Sequence, residues 1–200
     1  MTFEPKSYDH LIGTSGFSDQ LLKNHFTLYQ GYVKNVNTLV QELALLTNDG
    51  KSASPSYAEL KRRFGWEFNG MRLHELYFGN MAASSSPMSG ATPLTKGMTE
   101  AYGTYENWEK DFRAIAAMRG IGWAVLYFDS TSHQLFNVWV NEHDMGHLAG
   151  CIPVLVLDVF EHAYTLDYGI KKADYIEAFF HAIDWKEVER RSLEGVKGLQ

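Results

Sequence analysis

Between residues 17 and 79 apolar and aromatic side chains recur at steps of three and four, and that period confines this part of the chain to amphipathic helices. Leu21, Leu22, His25, Leu28, Tyr29, Tyr32, Val33 and Val36 build one face of a long segment. Ser18 stands where an N-cap belongs, and Asn48–Asp49–Gly50 supplies the stop. A second run opens after Ser54–Pro55 and carries Phe64, Phe68, Met71, His74, Tyr77 and Phe78. Two apolar faces joined by a short polar turn have to cover each other, so the spacing predicts a helical hairpin.

The pattern then changes. Ala82–Thr95 (AASSSPMSGATPLT) is rich in Ser, Ala, Gly and Pro and reads as a linker. One helix is expected from about Thr99 to Met118, ended by Arg119–Gly120. Gly122–Phe128, Gln134–Val140 and Ile152–Leu157 are rich in β-branched and aromatic residues and read as strands. Helices resume near Lys172 and Trp185. Helices and strands segregated in this way predict an α+β chain: an N-terminal helical hairpin domain over residues 1–90, then a C-terminal α/β domain over residues 91–200.

Composition removes several functions. A net charge of −6 argues against a nucleic-acid partner, which calls for a basic face. The longest apolar run, Cys151–Leu157, is strand-sized and far short of the roughly 20 residues a membrane-spanning helix needs. The opening MTFEPKSYDHLIGT lacks the basic start and apolar core of a secretory signal. The one cysteine, Cys151, reads as a small buried hydrophobe in a reducing compartment, so a cytoplasmic protein is expected.

Candidate chemistry gathers on four residues. His25 and His74 lie on the apolar faces of opposite hairpin arms, so packing those faces brings two imidazoles into one interior. Buried neutral imidazoles need partners for their ring nitrogens, and a shared metal ion would be one. Asp158 ends the most apolar strand, and His162 follows about one helical turn later. A carboxylate buried there is costly unless paired or coordinated. Three imidazoles and a carboxylate suit iron, manganese or zinc. On spacing alone, a structural Asp–His pair is the competing reading.

Asp158–Val159–Phe160–Glu161–His162–Ala163–Tyr164 resembles the D-x-W-E-H-A-Y signature of the iron/manganese superoxide dismutases, with Phe160 in place of the usual tryptophan. Gly120–Ile121–Gly122–Trp123–Ala124 is similar to the family's G-S-G-W-x stretch, and Tyr32–Val33–Lys34–Asn35–Val36–Asn37 to its Y-V-x-x-x-N run. Asn69–Gly70–Met71–Arg72–Leu73–His74 and Ile183–Asp184–Trp185 also fit, in the right order along nearly the whole chain.

The resemblance implies a helical hairpin followed by a three-stranded antiparallel sheet domain, with a single iron or manganese ion per subunit on His25, His74, Asp158 and His162. The implied activity is dismutation of superoxide by redox cycling. Tyr32 matches a gateway tyrosine, Trp123 a wall of the site, and Tyr29 the place of an outer histidine one turn after the first ligand. Glu161 and Tyr164 match positions at a subunit interface, implying a homodimer or a tetramer. Gly70 occupies one of two places from which the family supplies an outer glutamine, and His143 falls near the other, which leans the metal preference slightly towards iron. Lys34 and Lys172 are the expected cations for drawing in an anion. Seven residues separate His25 from Tyr32 where the family usually has eight, which still keeps both near one helix face.

Overall fold

In a computed structural model, residues 2–85, 87–88 and 90–197 are described. The hairpin consists of α1 (Asp19–Asn48) and α2 (Pro55–Gly79). Each starts on a serine whose hydroxyl accepts a backbone N–H, Ser18 from Leu21 at 3.1 Å and Ser54 from Tyr57 at 3.2 Å. Pro55 fills the first turn of α2, where its missing N–H costs nothing.

The single helix expected between Thr99 and Met118 is two: α3 (Pro93–Tyr102) and α4 (Tyr105–Ala116). Gly103, at φ +84°, ends the first, and the Thr104 hydroxyl caps the second by accepting from Asn107 N at 3.1 Å. Upstream, Thr92 and Thr95 exchange hydrogen bonds in a capping box ahead of Pro93 and start α3 well before Thr99.

The strands β1 (Gly122–Asp129), β2 (Gln134–Asn141) and β3 (Cys151–Asp158) form one antiparallel sheet in the order β2–β1–β3. The fold is therefore the expected α+β arrangement of a helical hairpin followed by a three-stranded antiparallel sheet. Central β1 is buried along almost its whole length. Pro153 sits on edge strand β3, where the pairing register with β1 shifts at Leu126/Tyr127, a place that tolerates a residue with no N–H. The chain then passes through a 3-10 turn (Glu161–Ala163) into α5 (Thr165–Tyr168), α6 (Lys172–Ala182) and α7 (Trp185–Lys197).

Buried Asn80 ties the hairpin to the sheet. Its Oδ1 accepts from Val156 N at 2.8 Å in the middle of β3, and its carbonyl accepts from Asp184 N at 2.9 Å. The core runs without a break from Tyr8 to Val188. This docking sets the second half of α2, with His74, against the end of β3, with Asp158. No described helix is long and apolar enough to cross a membrane.

Candidate metal centre

His25 from α1, His74 from α2, Asp158 from the end of β3 and His162 from the 3-10 turn converge, their ligand atoms all within 4.8 Å of one another. Asp158 Oδ2 is the hub. Nε2 of His25 and of His162 each lie 3.2 Å from it, and His74 Nε2 lies 3.5 Å away. The other carboxylate oxygen is occupied by the N–H of Phe160 at 2.8 Å, and the Asp158 carbonyl takes the Tyr175 hydroxyl at 2.6 Å. The carboxylate is thus held from both sides of its own backbone.

The tautomer of His74 decides what the cluster can hold. Its Nδ1 faces the Gly70 carbonyl at 2.5 Å, and a carbonyl only accepts, so Nδ1 carries the hydrogen. Nε2 is then a bare lone pair, fully buried, with no hydrogen-bond partner among the described residues. It points at a carboxylate oxygen, which is also an acceptor. Two acceptors 3.5 Å apart in an apolar interior repel each other unless a cation lies between them. Burial holds His25 and His74 below the ordinary histidine range, which keeps their nitrogens free to ligate. Burial alone would raise Asp158, but the facing imidazoles, His162 first and then His25, outweigh it and hold the carboxyl below its usual range. Three imidazole nitrogens and a carboxylate are the donor set that suits iron, manganese or zinc.

An outer layer surrounds the four. Trp123 is fully buried with its ring edge-on to His74, centroids 5.0 Å apart, and its indole N–H donates to His143 Nδ1 at 3.1 Å. His143 Nε2 lies 2.8 Å from the Tyr32 hydroxyl oxygen, and the Tyr32 ring stacks on His74 at 5.1 Å. Phe160 stacks on His143 at 4.7 Å and on His162 at 5.2 Å. Burial pushes His143 down to about 4, so it is neutral at physiological pH. With Nδ1 accepting from Trp123, its single hydrogen sits on Nε2 and is donated to Tyr32. Burial, and next the Asp158 charge, hold the Tyr32 phenol above its usual range, so it stays protonated.

Residues 90–191 match the family described as iron/manganese superoxide dismutases, C-terminal domain. A Haloferax volcanii protein named superoxide dismutase [Mn] 2 is 38% identical over 97% of this chain and 96% of its own length. The chain belongs to the iron/manganese superoxide dismutase family. A Halobacterium salinarum relative named superoxide dismutase [Mn] 1 is 38% identical over 94% of this chain and 92% of its own length. An Aquifex pyrophilus relative named superoxide dismutase [Fe] is 33% identical over 98% of this chain and 94% of its own length.

Not every residue that the superoxide dismutase resemblance singles out reaches the cluster. Tyr29 is buried, but its hydroxyl donates to Glu75 at 3.0 Å and accepts from Lys6 N at 3.1 Å, and its ring centroid is 6.5 Å from that of His74. Leu28, not Tyr29, lines the cavity of about 220 Å³ that opens onto Tyr32. Lys34 borders a different surface cavity, beside Thr2 and Phe3. Lys172 donates to the Met118 carbonyl at 2.8 Å, with its ammonium 5.9 Å from the centre of the Tyr164 ring. Glu161 is exposed beside His162, whereas Tyr164 is buried and stacks on Tyr175 at 5.4 Å.

Two residues not singled out in the sequence border this cluster. Trp66 sets its ring edge-on to His143 at 4.5 Å and donates its indole N–H to Glu142 at 3.0 Å. The Arg63 guanidinium lies 4.0 Å above the Trp66 ring and pairs with buried Glu67 at 2.7 Å. Trp66, Gly70 and His74 are spaced by four on α2, so the shared face was readable, although the contact with Glu142 was not.

Proposed function

We propose that this chain is a superoxide dismutase that holds one iron or manganese ion per subunit on His25, His74, Asp158 and His162. The observation that carries the reading is the bare lone pair of His74 Nε2 aimed at Asp158 Oδ2 among two further imidazole nitrogens. An iron or manganese ion held by these four residues would supply the one-electron couple that dismutation needs, between the oxidation of one superoxide to dioxygen and the reduction of the next to peroxide.

The chain's own part is ligation, proton supply and exclusion of water. Two superoxide ions and two protons become one dioxygen and one hydrogen peroxide, so the site has to supply two protons per turnover. Tyr32 is placed for this, on the cavity at one end and stacked on His74 at the other. Because His143 Nε2–H donates to the Tyr32 oxygen, the phenolic hydrogen is left free to point at the reacting oxygens. Trp123 fixes that order by occupying His143 Nδ1. Trp123 and Phe160 close the remaining sides with apolar surface, Phe160 without the N–H a tryptophan would bring.

Relatives named for manganese and for iron both match nearly full length, and the three-nitrogen, one-oxygen donor set discriminates little between the two metals. We therefore infer that either metal supports turnover, and the lean towards iron drawn from His143 gains no further support. We also read the molecule as a cytoplasmic homodimer or tetramer of two-domain subunits, divided near residue 90, with exposed Glu161 and neighbouring Tyr164 at the subunit contact. Lys172 is the steering cation we retain. The ligand assignment is tested by metal content after dialysis: wild type keeps about one ion per subunit, and His74→Ala keeps almost none. Full retention by His74→Ala would reject it.

A further inference from the structure

His143 rides on the loop between β2 and β3, and that loop is backed by a second histidine. Asn141 and Met145 exchange backbone hydrogen bonds at 2.8 and 3.3 Å across its neck. Glu142, immediately before His143, has φ +48°, a conformation non-glycine residues adopt only when their surroundings impose it. Gly146, at φ +102°, closes the turn where a Cβ would fall 2.7 Å from the Trp139 carbonyl oxygen. The backbone carbonyl of His143 then accepts from His147 Nε2 at 2.8 Å.

A carbonyl only accepts, so His147 Nε2 carries a hydrogen, which in the neutral tautomer leaves Nδ1 as a lone pair. The Tyr127 hydroxyl lies 2.7 Å from that Nδ1 and is the donor. Tyr127 belongs to central strand β1, is 2% exposed, and is paired on both sides, with Phe136 and with Pro153. A line of hydrogen bonds therefore runs from central strand β1 through an imidazole engaged at both nitrogens to the backbone of His143.

We propose that His147, braced by Tyr127, is a positioning residue that sets where His143 presents its Nε2–H to Tyr32. The inference rests on the roles given above to His143 and Tyr32. The His143 ring is already engaged at both nitrogens, so its remaining freedom is that of its backbone. A shift of about 0.5 Å there is enough to spoil a hydrogen bond in a catalytic constellation. His147 itself touches neither the four-residue cluster nor the cavity beside Tyr32.

The test uses full-length protein in two forms. In the zinc-loaded chain, zinc being a diamagnetic stand-in, ¹⁵N-histidine NMR reads the hydrogen-bonded His143 Nε2–H, assigned by its loss in His143→Gln. In the iron- or manganese-loaded chain, kcat is measured. His147→Leu is expected to shift or lose the His143 signal and to lower kcat about tenfold, the scale of outer-layer changes at metal sites. His147→Gln, whose amide can accept from Tyr127 and donate to the carbonyl, is expected to restore both. If His147→Leu does not fold, Tyr127→Phe carries the test, with a smaller displacement of the same signal. An unmoved His143 signal in a folded His147→Leu or Tyr127→Phe protein overturns the proposal. A wild type inactive with both metals would reject dismutation, while the NMR result would still decide whether His147 positions His143.

Discussion

A Cβ placed on Gly70 would lie 2.6 Å from Cδ1 of Tyr32, so the tyrosine ring fills the space that any side chain at residue 70 would need. The same glycine offers its carbonyl to His74 Nδ1. Absence of a side chain on α2 thus seats the ring, and the outer donor to Tyr32 comes from His143 on the other half of the chain.

Gly70→Ala follows directly. The gain in helix propensity is about 1 kcal/mol, but overpacking against a buried ring costs about 1–3 kcal/mol. We expect a lower melting temperature together with reduced dismutase activity as Tyr32 is displaced. Calorimetry and a superoxide assay check this, and a higher melting temperature with full activity would show that the ring moves aside freely.

Trp123→Phe keeps most of the ring and removes one N–H. His143 Nδ1 then loses its donor, and the tautomer that directs Nε2–H at Tyr32 is no longer enforced. We expect a stability loss of about 1 kcal/mol and a disproportionate fall in kcat. Equal kcat for the variant and wild type would mean that the tautomer is set elsewhere.

Acid exposes the buried histidines. Folded His143 titrates near 4 against 6.5 for the free side chain, so between these values the unfolded chain binds the extra proton. Its contribution to stability is fully present above about 6.5 and is lost as pH falls towards 4; His25 and His74 act in the same direction. The metal-free protein is expected to lose denaturant resistance steadily from pH 7 to pH 4, and His143→Gln to flatten that slope. A slope unchanged in His143→Gln contradicts the shift.

At the proposed subunit contact, Glu161→Ala is expected to weaken self-association without emptying the site. Sedimentation over a range of concentrations should show monomer appearing in the variant at concentrations where wild type stays associated. Identical profiles would remove Glu161 from the contact.

Much of this was legible in the sequence because the relevant signals are local. Ser18 and Ser54 stand at helix starts, the three-and-four spacing puts His25 and His74 on inward faces, and a charged residue closes the run Ile152–Leu157. The junction at Gly103–Thr104 was obscured because apolar periodicity runs across both α3 and α4, and only the glycine and the threonine cap mark the break. Leu28 and Tyr29 could not be ranked by spacing: at about 100° per residue they flank Tyr32 on either side, and packing on α2 and the amino-terminal segment turns Tyr29 towards Glu75. The bond from Trp66 to Glu142 spans 76 residues between a helix and a loop, a distance over which no local pattern speaks.

The most direct test of the central claim is dismutase activity of one preparation of the metal-free chain loaded separately with iron, manganese and zinc, with metal content measured on each sample. One ion per subunit in all three, with rapid dismutation by the iron form, the manganese form or both and none by the zinc form, is the predicted result. Full occupancy by iron and by manganese without dismutation by either would contradict it.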